Sequence, residues 1–140
     1  MNKKILVYDC ETKLLFDDLK SGQGISNLGM SSCVIYKEDS DTYKLFNHFD
    51  DQVDLVCSYL TGINHVVVGY NSFHFDSKLL LGDNRQFTNH LVYNKQYKWL
   101  ELDLFLEIFS ALTGETDYGN LTEMLKEDKS LCPKNVYSLN

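Results

Sequence analysis

Two short runs of contiguous apolar residues limit what this chain can become. Ile5, Leu6 and Val7 stand together near its start, and Val66, Val67 and Val68 near its middle. A strand with one solvated face alternates apolar and polar residues, so an unbroken run predicts a central strand buried on both faces. Residues 28–37 (LGMSSCVIYK) and 42–49 (TYKLFNHF) read as two more strands joined by the turn KEDSD. With residues 4–10 they predict an antiparallel meander of three strands. Val53, Val56, Cys57 and Leu60 fall at helical spacing, with Asp50 or Asp51 placed to cap that helix and Gly62 to stop it. Residues 65–71 form the second buried strand, and FDSKLLLG a short helix ending at Gly82. KWLELDL predicts a strand running into a helix whose Phe105, Ile108, Phe109 and Leu112 share a face. NLTEMLKEDK predicts a short helix capped by Asn120, and PKNVYSLN the start of one more. Three antiparallel strands followed by helix-crossover strands make a mixed α/β layer arrangement.

At 140 residues the chain has the length of one domain with its own core, residues 1–140. The apolar run near the N-terminus is four residues long with acids close behind, too short for a signal peptide or a membrane span. This predicts a cytoplasmic protein with no membrane partner. Cys10, Cys33, Cys57 and Cys132 are widely spaced, which suits reduced thiols better than zinc ligation or a disulfide framework. A net charge of −7 speaks against a non-specific nucleic-acid-binding module. It leaves room for an enzyme whose bound cations supply positive charge where a phosphate sits.

The first run ends in the acids of VYDCET. Strand alternation sends Asp9 and Glu11 to one face and Cys10 to the other. Two carboxylates sharing a face raise one pKa and cost stability, a conflict that a divalent cation removes. Magnesium and manganese favour such hard oxygen ligands. The plainer alternative is a pair of solvated acids at a strand's end. The second run leads into GYNSFHFD, where Asp76 follows a β-to-α turn, a place where ligand sites gather in α/β proteins. Its plainer alternative is an N-cap accepting from the Lys78 or Leu79 N–H. His74 reads as a loop residue without a role. NKQYKW, the one basic-aromatic cluster, reads as a solvated hairpin approach with Trp99 in the core, against phosphate contacts by Lys95 and Lys98.

VYDCET and GYNSFHFD together resemble the first and second motifs of the DEDD 3′–5′ exonuclease superfamily. The second is closest to the proofreading exonuclease of family-B DNA polymerases and its free-standing relatives, through Asn71, Phe75 and Asp76. The resemblance implies a ribonuclease H-like α/β fold: three antiparallel strands, then parallel crossover strands, flanked by helices. It implies metal-dependent removal of nucleotides from a 3′ end, with single-stranded DNA as the expected partner. Asp9, Glu11 and Asp76 would ligate Mg2+ or Mn2+, two ions if the site is complete. Asn71 would orient the loop or contact the strand, and Tyr70, Phe73 or Phe75 would stack on a base.

The family's third motif places a tyrosine or histidine four residues before a fourth acid. Tyr137 in VYSLN fits the tyrosine, but the acid would fall at position 141, past Asn140. Three alternatives stand open: a fragment of a longer exonuclease; a degraded site that binds nucleic acid or protein without cutting; or a site completed by another chain or another acid. Asp103 is the best internal candidate for the last, although it reads more plainly as a helix cap.

Overall fold

Alternation, not burial on both faces, governs the first strand. The computed structural model describes residues 3–47 and 52–127. In it β1 (Lys4–Thr12) buries Leu6, Tyr8 and Cys10, while Ile5 and Val7 each keep 39% of their surface. The expectation of a strand buried twice over is corrected here. The contiguous run marks a central strand, paired on both edges, one face of which stays partly exposed among the described residues.

β2 (Met30–Lys37) and β3 (Thr42–Asn47) complete the expected antiparallel meander. α1 (Val53–Leu60) crosses over and buries Val56, Cys57 and Leu60. β4 (Gly62–Gly69) then lies parallel to β1, from the pair Lys4–His65 to the pair Val7–Val68. α2 (Asp76–Leu81) ends at Gly82, where φ is 105° and a side chain would be strained. β7 (Lys98–Asp103) pairs parallel with β4 and runs directly into α3 (Leu104–Thr113), and α4 (Tyr118–Glu127) follows. A hairpin that the sequence reading passed over, β5 (Gln86–Thr88) and β6 (Leu91–Tyr93), extends the edge beyond β7. Its strands have three residues each, too short for a periodic signal. The sheet order is β3-β2-β1-β4-β7-β6-β5, mixed parallel and antiparallel.

The register divides the sheet into two unlike faces. Leu6, Tyr8 and Cys10 align with Cys33 and Ile35 of β2, with Val67 of β4, and through it with Glu101 of β7. This is the packed face; Cys57 of α1 donates to the Leu80 carbonyl of α2 at 3.6 Å within the same core. Ile5, Val7, Asp9 and Glu11 align with Val34, Leu45, Val66 and Val68, all half-buried or exposed. This is the open face.

Two helix expectations need correction. On α3 the buried side chains are Phe105, Leu106 and Phe109, whereas Ile108 and Leu112 are 52% and 75% exposed. α4 begins two residues before Asn120, because the Asp117 carboxylate accepts the Asn120 N–H at 2.9 Å and starts the first turn itself. Asp50, Asp51, Cys132, Tyr137 and the segment PKNVYSLN lie outside the described residues. Among the described residues no helix is long and apolar enough to cross a membrane.

Candidate active site

β1 and β4 part company after Val7 and Val68, and the acids stand where they separate. β1 continues past that point on β2 alone, with Asp9 opposite Val34 and Glu11 opposite Ser32, until a bulge between Glu11 and Thr12. Both acids are exposed on the open face. Glu11 also lines a cavity of about 310 Å3 together with Thr12, Leu15, Phe16 and Phe75. The split between neighbouring strands at their C-terminal ends is the position where open α/β sheets form binding crevices.

Asp76 reaches the same place from the other side. It is 4% exposed, and its carboxylate accepts the Cys10 backbone N–H rather than capping its own helix. The Leu79 N–H, one of the expected cap donors, goes instead to the Phe75 carbonyl at 2.8 Å. Burial first, then the negative charges of Asp9 and Glu101, push the Asp76 carboxyl well above the usual carboxylate range. Among the described residues no three His, Cys, Asp or Glu side chains stand together as a ready metal cluster. The donors present are two exposed carboxylates on one strand face and a third coupled to Asp9. They are hard oxygens that suit magnesium or manganese, and a cation beside them would relieve the repulsion that disfavours the Asp76 anion.

The loop that delivers Asp76 is clamped by Asp103. Its carboxylate accepts the N–H groups of Asn71 (2.7 Å), Phe73 (3.0 Å) and Phe105 (2.9 Å), and is fully buried. It therefore caps α3, as expected, and also fastens the β4–α2 loop to β7. With its oxygens so engaged, Asp103 holds a loop rather than a cation. Asn71 has φ of 54°, a left-handed conformation that asparagine tolerates better than most residues. Just before it, Gly69 leaves no space for a side chain: a Cβ there would lie 2.4 Å from the Ser72 Cβ.

Beneath the loop lies a carboxylate that sequence reasoning missed. Glu101 is fully buried and accepts from the Tyr8 hydroxyl at 2.8 Å and the Trp99 indole at 2.7 Å. Burial raises its pKa to about 7, although the hydrogen bonds from Trp99 and Tyr8 oppose the shift. The signal was available: in KWLELD, Glu101 shares the inward parity of Trp99 and Asp103.

The aromatic residues of the second motif separate in role. Phe73 is fully buried, with its ring against Phe87 and Tyr118 and the Arg85 guanidinium 4.3 Å above it, so it is core. Tyr70 is 53% exposed, its ring edge-on to Phe105. Phe75 is half-buried, 5.9 Å from the Phe16 ring, and together with Asn71 it also lines a second cavity of about 200 Å3. His74 is no idle loop residue. The Thr122 hydroxyl donates to the Tyr118 carbonyl at 2.7 Å, so at 2.6 Å it accepts a hydrogen from His74 Nε2. Burial, with Arg85, Lys78 and Lys126 nearby, lowers the His74 pKa to about 3.

No protein-family model matches the chain, and no curated protein does either. Solved structures do match. The family B DNA polymerase from the hyperthermophilic archaeon Pyrobaculum calidifontis superposes with a TM-score of 0.55 and 15% identity over 78% of this chain. Exonuclease I in its apo form superposes with a TM-score of 0.50 and 11% identity over 80% of it. This is a ribonuclease H-like α/β fold, shared with a part of each of these structures. The chain spans 16% of the polymerase and 31% of Exonuclease I, so the exonuclease-like fold corresponds to a part of each. The fold implied by the two motifs is thereby borne out.

Proposed function

We propose that this chain is a metal-dependent 3′–5′ exonuclease domain hydrolysing phosphodiester bonds of DNA or RNA, with single-stranded DNA as its partner. What supports this reading is the pair Asp9 and Glu11 on one exposed strand face just past the point where β1 and β4 separate, with the charge of Asp9 felt by the buried Asp76. Asp9 and Glu11 hold Mg2+ or Mn2+, and Asp76 joins them directly or through water. Bound, such ions supply an activated water and a counter-charge for the leaving 3′ oxygen. The protein's part is positional. The Asp103 clamp keeps the β4–α2 loop, and with it Asp76, seated beside β1. Asn71 orients that loop and meets the substrate strand, while Phe75 and the exposed Tyr70 offer ring faces to an unpaired base. Orientation of the attacking water falls to Tyr137 through the motif it occupies.

A second reading, an exonuclease fold that binds without cutting, is favoured by the lack of a ready three-group cluster among the described residues. Manganese calorimetry on this chain and on Asp9→Asn, beside shortening of a 5′-labelled single strand, separates the two. Metal binding and shortening that both vanish in the variant support the exonuclease. Metal binding without shortening supports the binding module. No metal binding overturns the proposed site.

A further inference from the structure

Glu11 and two helix lysines, Lys78 and Lys126, line two different cavities that share one wall. The Phe16–Phe75 ring pair borders both the cavity of about 310 Å3 beside Glu11 and the cavity of about 200 Å3 on its far side. The second cavity has Phe16, Ile25 and Phe75 as apolar walls, with Lys78 of α2 and Lys126 of α4 at its border. The two lysines converge from different helices, for both act electrostatically on His74, whose ring lines the same space. In a chain of net charge −7, this convergence stands out.

Neither lysine is consumed by the fold. Lys78 makes no ion pair among the described residues, and Asp83, the carboxylate that acts on it, accepts from the Ser26 N–H and hydroxyl. Among the described residues Lys126 meets Glu123 alone, one turn away at 3.4 Å with both side chains about two-thirds exposed, a weak pair. Arg85, the third cation near His74, is spent on the Phe73 carbonyl and Ser77. Thr122 and His74 satisfy one another, which fixes the cavity's polar wall without closing it.

We propose that this cavity is a binding site for one unpaired nucleotide of single-stranded DNA, the base against Phe16 and Phe75 and its phosphate on Lys78 and Lys126. It is a subsite next to the acids, so it rests on the exonuclease reading for its place along the strand, but its chemistry needs no metal. The cavity, about 200 Å3, has room for one base between its aromatic wall and the lysines. Lysine contacts to phosphate supply affinity without sequence preference, and stacking adds to it.

The test is fluorescence anisotropy of a labelled oligothymidylate in EDTA, where no cutting occurs, across a salt series. Lys126→Glu changes an exposed residue and leaves folding intact; Lys78→Ala is checked by urea denaturation. The expected result is a loss of affinity of about fivefold or more for each, with the salt slope shallower by about 0.7 per lysine. Unchanged affinity and slope in both lysine variants, or duplex bound as well as single strand, overturns the subsite. If the lysines matter and manganese still brings no cleavage, the exonuclease reading falls while the subsite stands. If cleavage proceeds and the lysines do not matter, the reverse holds.

Discussion

The packed and open faces of the sheet treat their carboxylates in opposite ways. On the packed face Glu101 and Asp103 are fully buried, and Asp76 reaches in beside them at 4% exposure. On the open face Asp9 and Glu11 occupy exposed strand positions. A buried carboxylate is costly unless donors surround it. Accordingly each buried acid here is tied to its surroundings: Glu101 to Tyr8 and Trp99, Asp103 to the β4–α2 loop, Asp76 to the Cys10 amide. An exposed carboxylate carries no such obligation and remains free for a cation. The packed-face acids Glu101 and Asp103 are therefore architecture, and the open-face acids are the ones we propose as metal ligands, with Asp76 between the two.

That division can be broken by substitution. Glu101→Ala is expected to cost the most stability, about 3 kcal/mol or more, because it strands two buried donors and leaves a cavity. Urea denaturation followed by tryptophan fluorescence reads it through Trp99, and a loss under 1 kcal/mol (about one ordinary hydrogen bond) would remove Glu101 from the architecture.

A pH series sharpens the same point. The Glu101 carboxyl rises from 4.5 to about 7 on folding, so the folded state holds its proton more tightly. Its stabilising contribution is complete below the unfolded value and is lost as pH climbs toward 7. His74, lowered to about 3, acts in the opposite sense over part of this range, so the useful quantity is the difference between the parent and Glu101→Gln. That difference should fall by about 2 kcal/mol between pH 4.5 and 7. A flat difference would mean that Glu101 is already ionised in the folded chain.

Asp103→Asn should follow at about 2 kcal/mol, since an amide nitrogen would face N–H groups that now meet an oxygen. Gly69→Ala is smaller, about 1–2 kcal/mol, as the new methyl group drives against Ser72 and Tyr8. Hydrogen exchange at the Asn71 and Phe73 amides should quicken in both variants; unchanged protection would show that neither residue secures the loop. Smallest in stability is Asp9→Asn, within about 0.5 kcal/mol of the parent, while metal-dependent shortening of a labelled strand disappears. A variant that unfolds would place Asp9 among the architectural acids and erase the contrast.

Local pattern alone determined much of this protein. Chain order, the three-stranded meander, the crossovers at α1 and α2, and the stop at Gly82 follow from periods of 2 and 3.6 and from glycine's access to positive φ. The pairing of Asp9 with Glu11 on one face is likewise a property of any extended strand. Tertiary structure decided which face that would be. Ile5, Leu6 and Val7 look alike in sequence, and only the register with β2 and β4 and the seating of α1 and α2 leave the odd residues open. It also decided what each remaining acid does. Nothing local separates Asp76, placed as a cap, from the Asp76 that reaches across to β1, or marks Asp103 as the anchor of a loop thirty residues earlier. Those roles come from long-range hydrogen bonds, which form only after the sheet has brought β1, β4 and β7 side by side.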